Sequence, residues 1–308
     1  MTGELDFIEA LRALARSPEA RGLDDDAALL GRLVLTHDMI AQGVHYRPQD
    51  PPESVAAKLV AVTLSDLAAK GATPVGVLLG YCLGDGDWDR RFLVGLGEAL
   101  VQYDCKLLGG DTIAVPGPRV LGLTAIGEAG ERVPDRAGGH AGDGLWLIGA
   151  LGDSAAGLAQ LLTDPDATGP LVDAYQRPHA LIAEGRALAP HASAMMDVSD
   201  GLLIDARRMA AASNVRIDID IAALPLSNAF RSARGDDRTA RLFAATGGDD
   251  YALLAALPPG AEQIVTKSLP SGAQMVRVGR LVEGAGIALH DAGEPVELPE
   301  HLGHEHHA

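Results

Sequence analysis

The order of apolar and polar positions predicts alternating helices and strands along most of the chain. Apolar residues recur at helical spacing from Glu4 to Arg16, and an alanine-rich segment from about Glu53 to Lys70 predicts a long helix that Gly71 and Pro74 end. Another helix is predicted from about Asp87 to Tyr103. Short apolar runs typical of strands lie between and beyond these helices. Alternating elements of this kind indicate an α/β protein.

A polar break divides the predicted strands into two groups. Before it are the runs at Leu33 to Leu35, VGVLLGYCL, KLLGGD and RVLGLTAIGEA, and after it are LWLIGAL, MMDV, VRIDIDI, YALLAAL and MVRVGRLV. The break itself, from Glu131 to Gly144, is rich in Gly, Arg and Asp, as linkers are. We therefore predict two α/β domains, residues 1–133 with a βαββ-type sheet and residues 134–308. Helices in the second are predicted after Ser154, from about Val172 to Ala189, and from about Leu202.

Composition and charge limit the class of partner. The chain has 308 residues, 47% of them hydrophobic, and a formal net charge of −17. That charge argues against binding to nucleic acid or to an anionic membrane, because both require clustered Lys and Arg. Two cysteines without CxxC spacing indicate neither a disulfide framework nor a zinc site, and no basic-then-apolar signal segment opens the chain. We expect a cytoplasmic protein.

Carboxylates dominate the candidate chemistry. The sequence contains no GxxxxGK[ST] motif, so binding of a polyphosphate would depend on magnesium held by acidic side chains. Acidic clusters are predicted where strands or helices end, and they are Asp24-Asp25-Asp26, Thr36-His37-Asp38, Ser65-Asp66, Gly109-Gly110-Asp111-Thr112 and Asp197-Val198-Ser199-Asp200-Gly201. Such ends are where α/β proteins place their sites.

Each cluster taken alone has a structural explanation. Taken alone, Asp26 is more typical of a loop or helix cap, Gly110 can be explained by a turn or bulge, and Ser199 by a helix N-cap, although two acids around Ser199 favour a site slightly. Asp66 is more informative, because an unpaired charge inside an Ala, Val and Leu helix would be costly to bury. A metal ion or a buried partner would remove that cost.

Seven stretches in order make the chain resemble the thiamine-monophosphate kinase family, within the aminoimidazole-ribonucleotide-synthetase-like superfamily. They are GLDDDAALL, THDMIAQGVHY, VTLSDLAAKGATPVGVLLG, LLGGDT, GDSAAGLAQLL, MDVSDGLLIDA and TGGDDYALL. The resemblance spans about Asp6 to His304. It implies an N-terminal α/β domain whose sheet pairs with that of a twofold mate, and a larger C-terminal α/β domain with a mixed sheet. It also implies an active site in the cleft between the domains, near the dimer interface.

The resemblance implies roles for individual residues, none of them a covalent nucleophile or general base. The implied magnesium ligands are Asp26, Thr36, His37, Asp38, Asp66, Asp111, Asp197 and Asp200. The implied ATP contacts are Gly110, Asp111, Arg136 and Ser199, and the implied substrate contacts are His45, Asp249 and His304. The implied reaction is in-line transfer from ATP, with several Mg²⁺ ions, to thiamine monophosphate in a homodimer. For Arg136, a surface residue in the linker is the alternative.

Several positions depart from the family pattern. His37 replaces a small hydroxyl residue, and since imidazole suits magnesium poorly, a backbone carbonyl or a water would serve there. Asp24 makes the usual acidic pair a triple, Asp249 stands where Glu is usual, and His304 stands where an aromatic residue usually stacks. Two other functions stay open: a related kinase or ligase with another small acceptor, and a non-catalytic nucleotide-binding relative.

Overall fold

A computed structural model describes residues 4–304, with side chains from Phe7 onward. The first half of the chain forms a five-stranded sheet with helices. The elements of this half are α1 (Glu4–Arg12), a 3₁₀ helix (Pro18–Leu23), β1 (Ala28–Leu30), β2 (Leu33–Ala41), α2 (Pro52–Ala69), β3 (Thr73–Cys82), α3 (Gly86–Gln102), β4 (Lys106–Ile113) and β5 (Val120–Glu128). The strand order is β1-β2-β5-β3-β4, and β3 and β4, joined through α3, are parallel. This arrangement confirms the predicted βαββ unit.

The second half is a seven-stranded mixed sheet with helices. Its elements are β6 (Gly144–Ile148), α4 (Asp153–Thr163), α5 (Pro170–Gln176), α6 (Ile182–Leu188), β7 (Ala194–Val198), α7 (Leu202–Ser213), β8 (Arg216–Asp220), a 3₁₀ helix (Ile221–Ala223), α8 (Asn228–Arg234), α9 (Arg238–Thr246), β9 (Ala252–Leu257), α10 (Ala261–Ser268), β10 (Met275–Val282), β11 (Gly286–Asp291) and β12 (Glu294–Val296). The order is β12-β11-β8-β10-β6-β9-β7, in which β8 and β11 are parallel and the other neighbours antiparallel. The predicted α/β class with a mixed second sheet is confirmed.

Some predicted elements differ from those observed. The helix predicted from Val172 to Ala189 is two helices, α5 and α6, because Pro178 has no N–H and cannot continue α5. The strand predicted to end at Thr36-His37-Asp38 continues to Ala41, and Gly109 to Asp111 lie inside β4. Two of the acidic clusters are therefore within strands and not at their ends. Helix α1 ends at Arg12, and α8 to α10, β11 and β12 lie where no element was predicted.

Helix α2 lies between the two halves. It contacts β2, β5 and α3 of the first half, and α6 and β7 of the second. The approach of α6 requires glycine at position 185, because a Cβ there would lie 2.0 Å from the Ala68 carbonyl oxygen. Although α2 is 18 residues long, it carries Lys58 and Asp66, and no helix within residues 4–304 is long and apolar enough to cross a membrane.

Two glycines of α3 test how closely this helix packs on α2. A Cβ at Gly95 would lie 2.3 Å from the Glu53 carbonyl oxygen, whereas a Cβ at Gly97 would have nothing within 4 Å. We expect Gly95→Ala to lower the free energy of unfolding by about 1 to 3 kcal/mol through overpacking. Gly97→Ala, as the matched control, should raise it by about 0.5 to 1 kcal/mol. Urea unfolding of both variants measures this, and equal effects would contradict the close packing.

Candidate active site

Two adjoining cavities lie between the halves of the chain. The carboxylate cavity, about 410 Å³, is bordered by Asp26, Thr36, Arg136, Asp205 and Arg208 among others. The tyrosine cavity, about 430 Å³, is bordered by His45, Tyr175, Asp249, Tyr251 and His304 among others. Both cavities are bordered by the same four residues, Asp38, Asp66, Asp197 and Ser199, which we call the shared wall.

A larger groove of about 1060 Å³ lies elsewhere, between α4 with the loop that follows it on one side and α8 and α9 on the other. It is bordered by Thr163, Arg234 and Phe243 among others, and by none of the residues that the sequence singled out. Arg234 lies over the Phe243 ring, 3.7 Å from its centroid, so its charge is already engaged. The chemistry of this chain therefore concentrates at the two smaller cavities.

Carboxylates from four separate parts of the chain meet in the carboxylate cavity, beside the shared wall. Oxygen atoms of Asp26, Asp66 and Asp197 lie within 4.8 Å of one another, and Asp38 borders the same space. Asp26 follows the 3₁₀ helix Pro18–Leu23, Asp38 is on β2, Asp66 is on α2 and Asp197 is on β7. Two hydroxyls hold this group in place: Thr36 Oγ1 donates to Asp66, and Ser65 Oγ donates to Asp197 over 2.6 Å.

Burial makes these carboxylates hard to ionise together. It raises the pKa of Asp38 to about 6 and that of Asp197 to about 8. Burial, together with repulsion from neighbouring carboxylates, raises the pKa of Asp66 well above its usual value. Burial acts on Asp26 as well, but the charges of Lys70 and Arg136 outweigh it and lower the pKa of that carboxyl.

The arrangement fits a magnesium site. Within residues 4–304, Asp38 Oδ2 is buried without a hydrogen-bond partner. The possible ligand atoms around it are carboxylate and hydroxyl oxygens, which hard divalent cations prefer. A divalent cation would also remove the mutual repulsion that raises the pKa values of Asp66 and Asp197.

The acidic triple separates into three roles. Asp24 is half-exposed and pairs with Arg12. Asp25 is buried, accepts from Lys70 and Arg21, and accepts the Arg136 N–H over 3.1 Å. It is therefore saturated with partners inside the protein. Asp26 reaches the cluster, which supports it as the metal ligand among the three.

Buried cations hold the loop of Asp26 in place. Lys70 Nζ lies 2.8 Å from Asp26 Oδ2 and 3.2 Å from the Met195 carbonyl oxygen, which it bonds. Arg136 donates to the other oxygen of Asp26 and keeps 19% of its side chain exposed. Arg136 is therefore anchored at the cavity, and the alternative of a surface residue in the linker does not describe its position.

The turn after β7 carries Ser199 and Asp200. The Asp205 carboxylate, on the first turn of α7, reaches back and accepts the N–H groups of both residues over 3.1 Å. Arg208 Nη1 lies 2.6 Å from Asp200 Oδ2 and 2.7 Å from Asp205 Oδ1. The turn is thus fixed from within α7, and Arg208 adds a cation to the carboxylate cavity.

The predicted substrate residues lie together in the tyrosine cavity. His45 Nδ1 accepts the Ala41 N–H over 3.1 Å. Asp249 Oδ2 accepts from Lys58 over 2.6 Å. The N–H of His304 donates to the Asp200 carbonyl oxygen over 2.9 Å, which brings the end of the described chain to this cavity. The rest of the His-rich tail, residues 305–308, lies outside the described residues.

Three predicted site residues have side chains or positions away from the carboxylate cluster. His37 borders the carboxylate cavity, but its ring is on the opposite face of β2, with Nδ1 2.9 Å from Thr124 Oγ1, because alternate strand residues point to opposite faces. Gly110 and Asp111 are on β4, three strand spacings from β2, or roughly 14 Å. A Cβ at Gly110 would lie 2.0 Å from the Leu79 carbonyl oxygen, so the neighbouring strand alone requires glycine there. The roles assigned to these three residues stay predictions.

Several residues of the site were not singled out from the sequence: Lys58, Lys70, Tyr175, Asp205 and Arg208. Lys58 interrupts the same apolar helix as Asp66, and the cost of burying an unpaired charge applies to it equally. That signal was present in the sequence. For Tyr175 and Arg208 we find none, because their positions depend on how distant elements meet.

Family models match both halves of the chain. The model described as AIR synthase related protein, N-terminal domain, matches residues 24–129, and the corresponding C-terminal domain model matches residues 140–292. Thiamine-monophosphate kinase of Caulobacter vibrioides is 41% identical over 237 residues, covering 73% of this chain and 67% of that protein. The Escherichia coli K12 enzyme of the same name is 38% identical over 220 residues, covering 68% and 67%.

Solved structures resemble the chain over nearly its whole length. AaThiL complexed with AMPPCP and TMP superimposes with a TM-score of 0.84 at 31% identity, covering 98% of this chain and 97% of the other. Thiamine monophosphate kinase from Aquifex aeolicus gives 0.83 at 31% identity, covering 96% and 98%. Hydrogenase maturation protein HypE, at 19% identity and a TM-score of 0.72, covering 94% and 97%, shares the fold.

Magnesium should stabilise the protein more at high pH than at low pH. Asp38, with a pKa of about 6, and Asp197, with one of about 8, both start from 3.8. An acid with a raised pKa binds its proton more tightly in the folded chain, so without metal the stability falls as pH rises from about 4 to about 8. The lowered pKa of Asp26 affects the stability only below that pH range. Thermal unfolding in EDTA and in excess MgCl₂ measures the difference.

The control for this measurement is Asp197→Asn, which cannot ionise at that position. It should flatten the pH dependence measured in EDTA and reduce the gain from magnesium. An equal magnesium effect at pH 5 and pH 8 in the unsubstituted protein would rule out these carboxylates as the metal site.

Proposed function

The chain belongs to the thiamine-monophosphate kinase family of AIR synthase related proteins and is an enzyme of the kinase class; we propose that it transfers the γ-phosphoryl group of ATP to thiamine monophosphate, giving thiamine diphosphate. The observation that carries this proposal is the shared wall. Asp38, Asp66, Asp197 and Ser199 border two cavities at once, so two phosphorylated molecules can approach one carboxylate cluster from different sides. That is the requirement for in-line transfer between them.

The carboxylate cavity suits the nucleotide. Arg136 and Arg208 both border it, and a guanidinium presents a fork of donors to phosphate oxygens. Asp26, Asp38, Asp66 and Asp197 would hold magnesium there, with Thr36 and Asp200 as further predicted ligands. Held by these residues, magnesium would supply the positive charge that phosphate groups require at this cavity. The carboxylates of this cavity could not otherwise accept a polyanion.

The tyrosine cavity suits the acceptor. It combines the Asp249 carboxylate with the rings of Tyr175, Tyr251 and His45, and the thiazolium ring of thiamine monophosphate is a flat cation. A carboxylate and aromatic faces both attract such a cation. The predicted contacts of His45, Asp249 and His304 with the substrate are consistent with their positions at this cavity.

The proposed reaction requires orientation more than acid–base chemistry. An acceptor phosphate oxygen is already anionic, so no side chain has to remove a proton from it, and we assign no nucleophile or general base. The chain orients the two phosphates through Ser199 and Arg136, and it limits water through the partly buried shared wall. These contributions are the ones expected for phosphoryl transfer.

We further propose that the enzyme works as a homodimer formed through the first sheet. Helix α2 packs on one face of this sheet, with α3 against α2, while the other face exposes Met39, Leu78 and Ile113 by about half of their surface. Strand β4 is exposed along its whole length. An apolar face of this kind, at the edge of a sheet, is suited to pairing with a second copy.

The same face carries Asp111. Asp111 of β4 pairs with Gly80 of β3 and lies on the uncovered face, away from the carboxylate cluster of the same subunit. A twofold mate that packs on this side would bring its own β4 toward that cluster. The predicted metal and ATP contacts of Asp111 and Gly110 would then belong to the site of the partner.

The cytoplasmic location predicted from the sequence also stays a prediction.

Product formation tests the function directly. We expect thiamine diphosphate from ATP, MgCl₂ and thiamine monophosphate, and none from thiamine, resolved by chromatography. Asp66→Asn should reduce kcat by roughly 100-fold or more, because it removes charge from the cluster where the phosphates meet. Asp87→Asn, a change of an exposed carboxylate on α3, is the control and should be fully active. No product despite bound ATP would favour another acceptor or a non-catalytic relative.

Mixed dimers test the placement of Asp111. Asp66→Asn and Asp111→Asn should each be inactive alone. If Asp111 serves the partner's site, a purified hybrid of the two variants contains one intact site and should have about half of the wild-type activity. If Asp111 serves its own site, the hybrid is inactive. A monomer in sedimentation equilibrium, or full activity of Asp111→Asn, would reject the dimer arrangement.

A further inference from the structure

Lys58 is a buried cation at the back of the tyrosine cavity. Its side chain is 2% exposed, and it lies on α2 among Val55, Leu59 and Val62, which are buried as well. Its Nζ atom lies 2.6 Å from Asp249 Oδ2 and 4.1 Å from the centroid of the Tyr175 ring. Burying a lysine is costly unless its charge is compensated, so its two partners must matter to the fold or to the site.

The loop that carries Asp249 is held in an unusual conformation. Asp249 has φ of 71° and Tyr251 has φ of 53°, both in the left-handed region that non-glycine residues rarely adopt. Such backbone strain persists when surrounding contacts enforce it, and it occurs preferentially at functional sites. Here the strained loop directs the Asp249 carboxylate into the cavity, where the Tyr251 hydroxyl donates to Oδ1 over 2.9 Å.

Each oxygen of Asp249 therefore has one donor from the chain. Lys58 donates to Oδ2 and Tyr251 donates to Oδ1, so the carboxylate cannot rotate without losing a bond. A carboxylate oxygen can accept more than one hydrogen bond, and 28% of the Asp249 side chain is still exposed. The group is fixed in orientation, and it still faces the cavity.

Lys58 also contacts the second side chain of this wall. The Tyr175 hydroxyl donates to Asp50 over 3.0 Å, and Asp50 is in turn bound by Arg47 Nε over 2.9 Å. The ring is held at its hydroxyl by this pair and on its face by the ammonium group of Lys58. One lysine therefore sets the positions of both the carboxylate and an aromatic ring of the tyrosine cavity.

We propose that Lys58 is a positioning residue for the acceptor: it holds the Asp249 carboxylate in one orientation, and Tyr175 in place, so that the tyrosine cavity binds a cationic heterocycle. The proposal rests on the function proposed above. Lys58 does not itself reach the acceptor, because its side chain is almost fully buried. Its contribution is made through Asp249, and this distinguishes it from a lysine that binds phosphate.

A double-mutant cycle tests the proposal, with Lys58→Met, Asp249→Asn and the double variant. We expect Lys58→Met to raise KM for thiamine monophosphate roughly tenfold or more, since one partner of a buried charge pair is lost. KM for ATP should change by less than about twofold, because ATP binds the other cavity. In the Asp249→Asn background, Lys58→Met should have little further effect on KM for the acceptor. Lys58→Arg, which keeps the charge, should recover part of the affinity.

Ser54→Ala is the matched control, because Ser54 is also a buried polar residue of α2 and bonds the Pro51 carbonyl oxygen over 2.8 Å. It should leave both KM values unchanged. If Lys58→Met changes KM equally in both backgrounds, or changes kcat alone, Lys58 is a structural residue and the proposal is wrong.

The same variants separate this proposal from the proposed function. Thermal unfolding of the four proteins requires no substrate, and Asp249→Asn should recover part of the stability that Lys58→Met loses, because no charge is then left unpaired. If the wild-type protein makes no thiamine diphosphate but the variants show this coupling in unfolding, the proposed function is wrong and the Lys58–Asp249 interaction stands. If thiamine diphosphate is made but neither KM nor unfolding shows coupling, the role proposed for Lys58 is wrong and the proposed function stands.

Discussion

The structure depends on the polar contacts that α2 makes with the second half of the chain. This helix belongs to the first half, yet three of its side chains reach across: Lys58 to Asp249, Ser65 to Asp197, and Lys70, at its C-terminal end, to the Met195 carbonyl oxygen. All three side chains are buried, so each contact must be satisfied for the halves to pack at all. Because Asp66 lies on the same helix, the packing of α2 also assembles the carboxylate cluster.

The charges of this interface explain the chemistry of the site. A net charge of −17 would by itself repel a nucleotide, and the carboxylates at the shared wall concentrate that repulsion. Of the clustered carboxylates, Lys70 and Arg136 pair with Asp26, and burial keeps the pKa values of Asp66 and Asp197 raised. The remaining carboxylates are therefore available to divalent cations, which would link them to phosphate. Charge and fold thus both favour a metal-dependent reaction.

Several residues at the site have backbone conformations or surroundings that are unfavourable by themselves. Asp249 and Tyr251 adopt left-handed conformations, Asp38 has an unpartnered buried oxygen within the described chain, and Lys58 is buried among apolar residues. Elsewhere in α2, alanine, valine and leucine follow the ordinary pattern of a buried helix. Such exceptions gather at one place because binding there stabilises groups that folding alone would not select.

The sequence by itself determined the α/β class, the βαββ unit and the order of the acidic motifs, because these depend on local periodicity and on short stretches. It also identified Asp66 as a charge that required a partner. It did not predict that Thr36 to Asp38 lie within a strand, that Pro178 divides a helix, or that α8 to α10 exist, since neighbouring strands and packed helices decide such boundaries. Only the tertiary structure distinguished Asp26 from Asp24 and Asp25, joined Lys58 to Asp249, and separated Asp111 from the other carboxylates. Those outcomes depend on contacts between residues far apart in the chain, and local sequence patterns contain no record of which distant groups will meet.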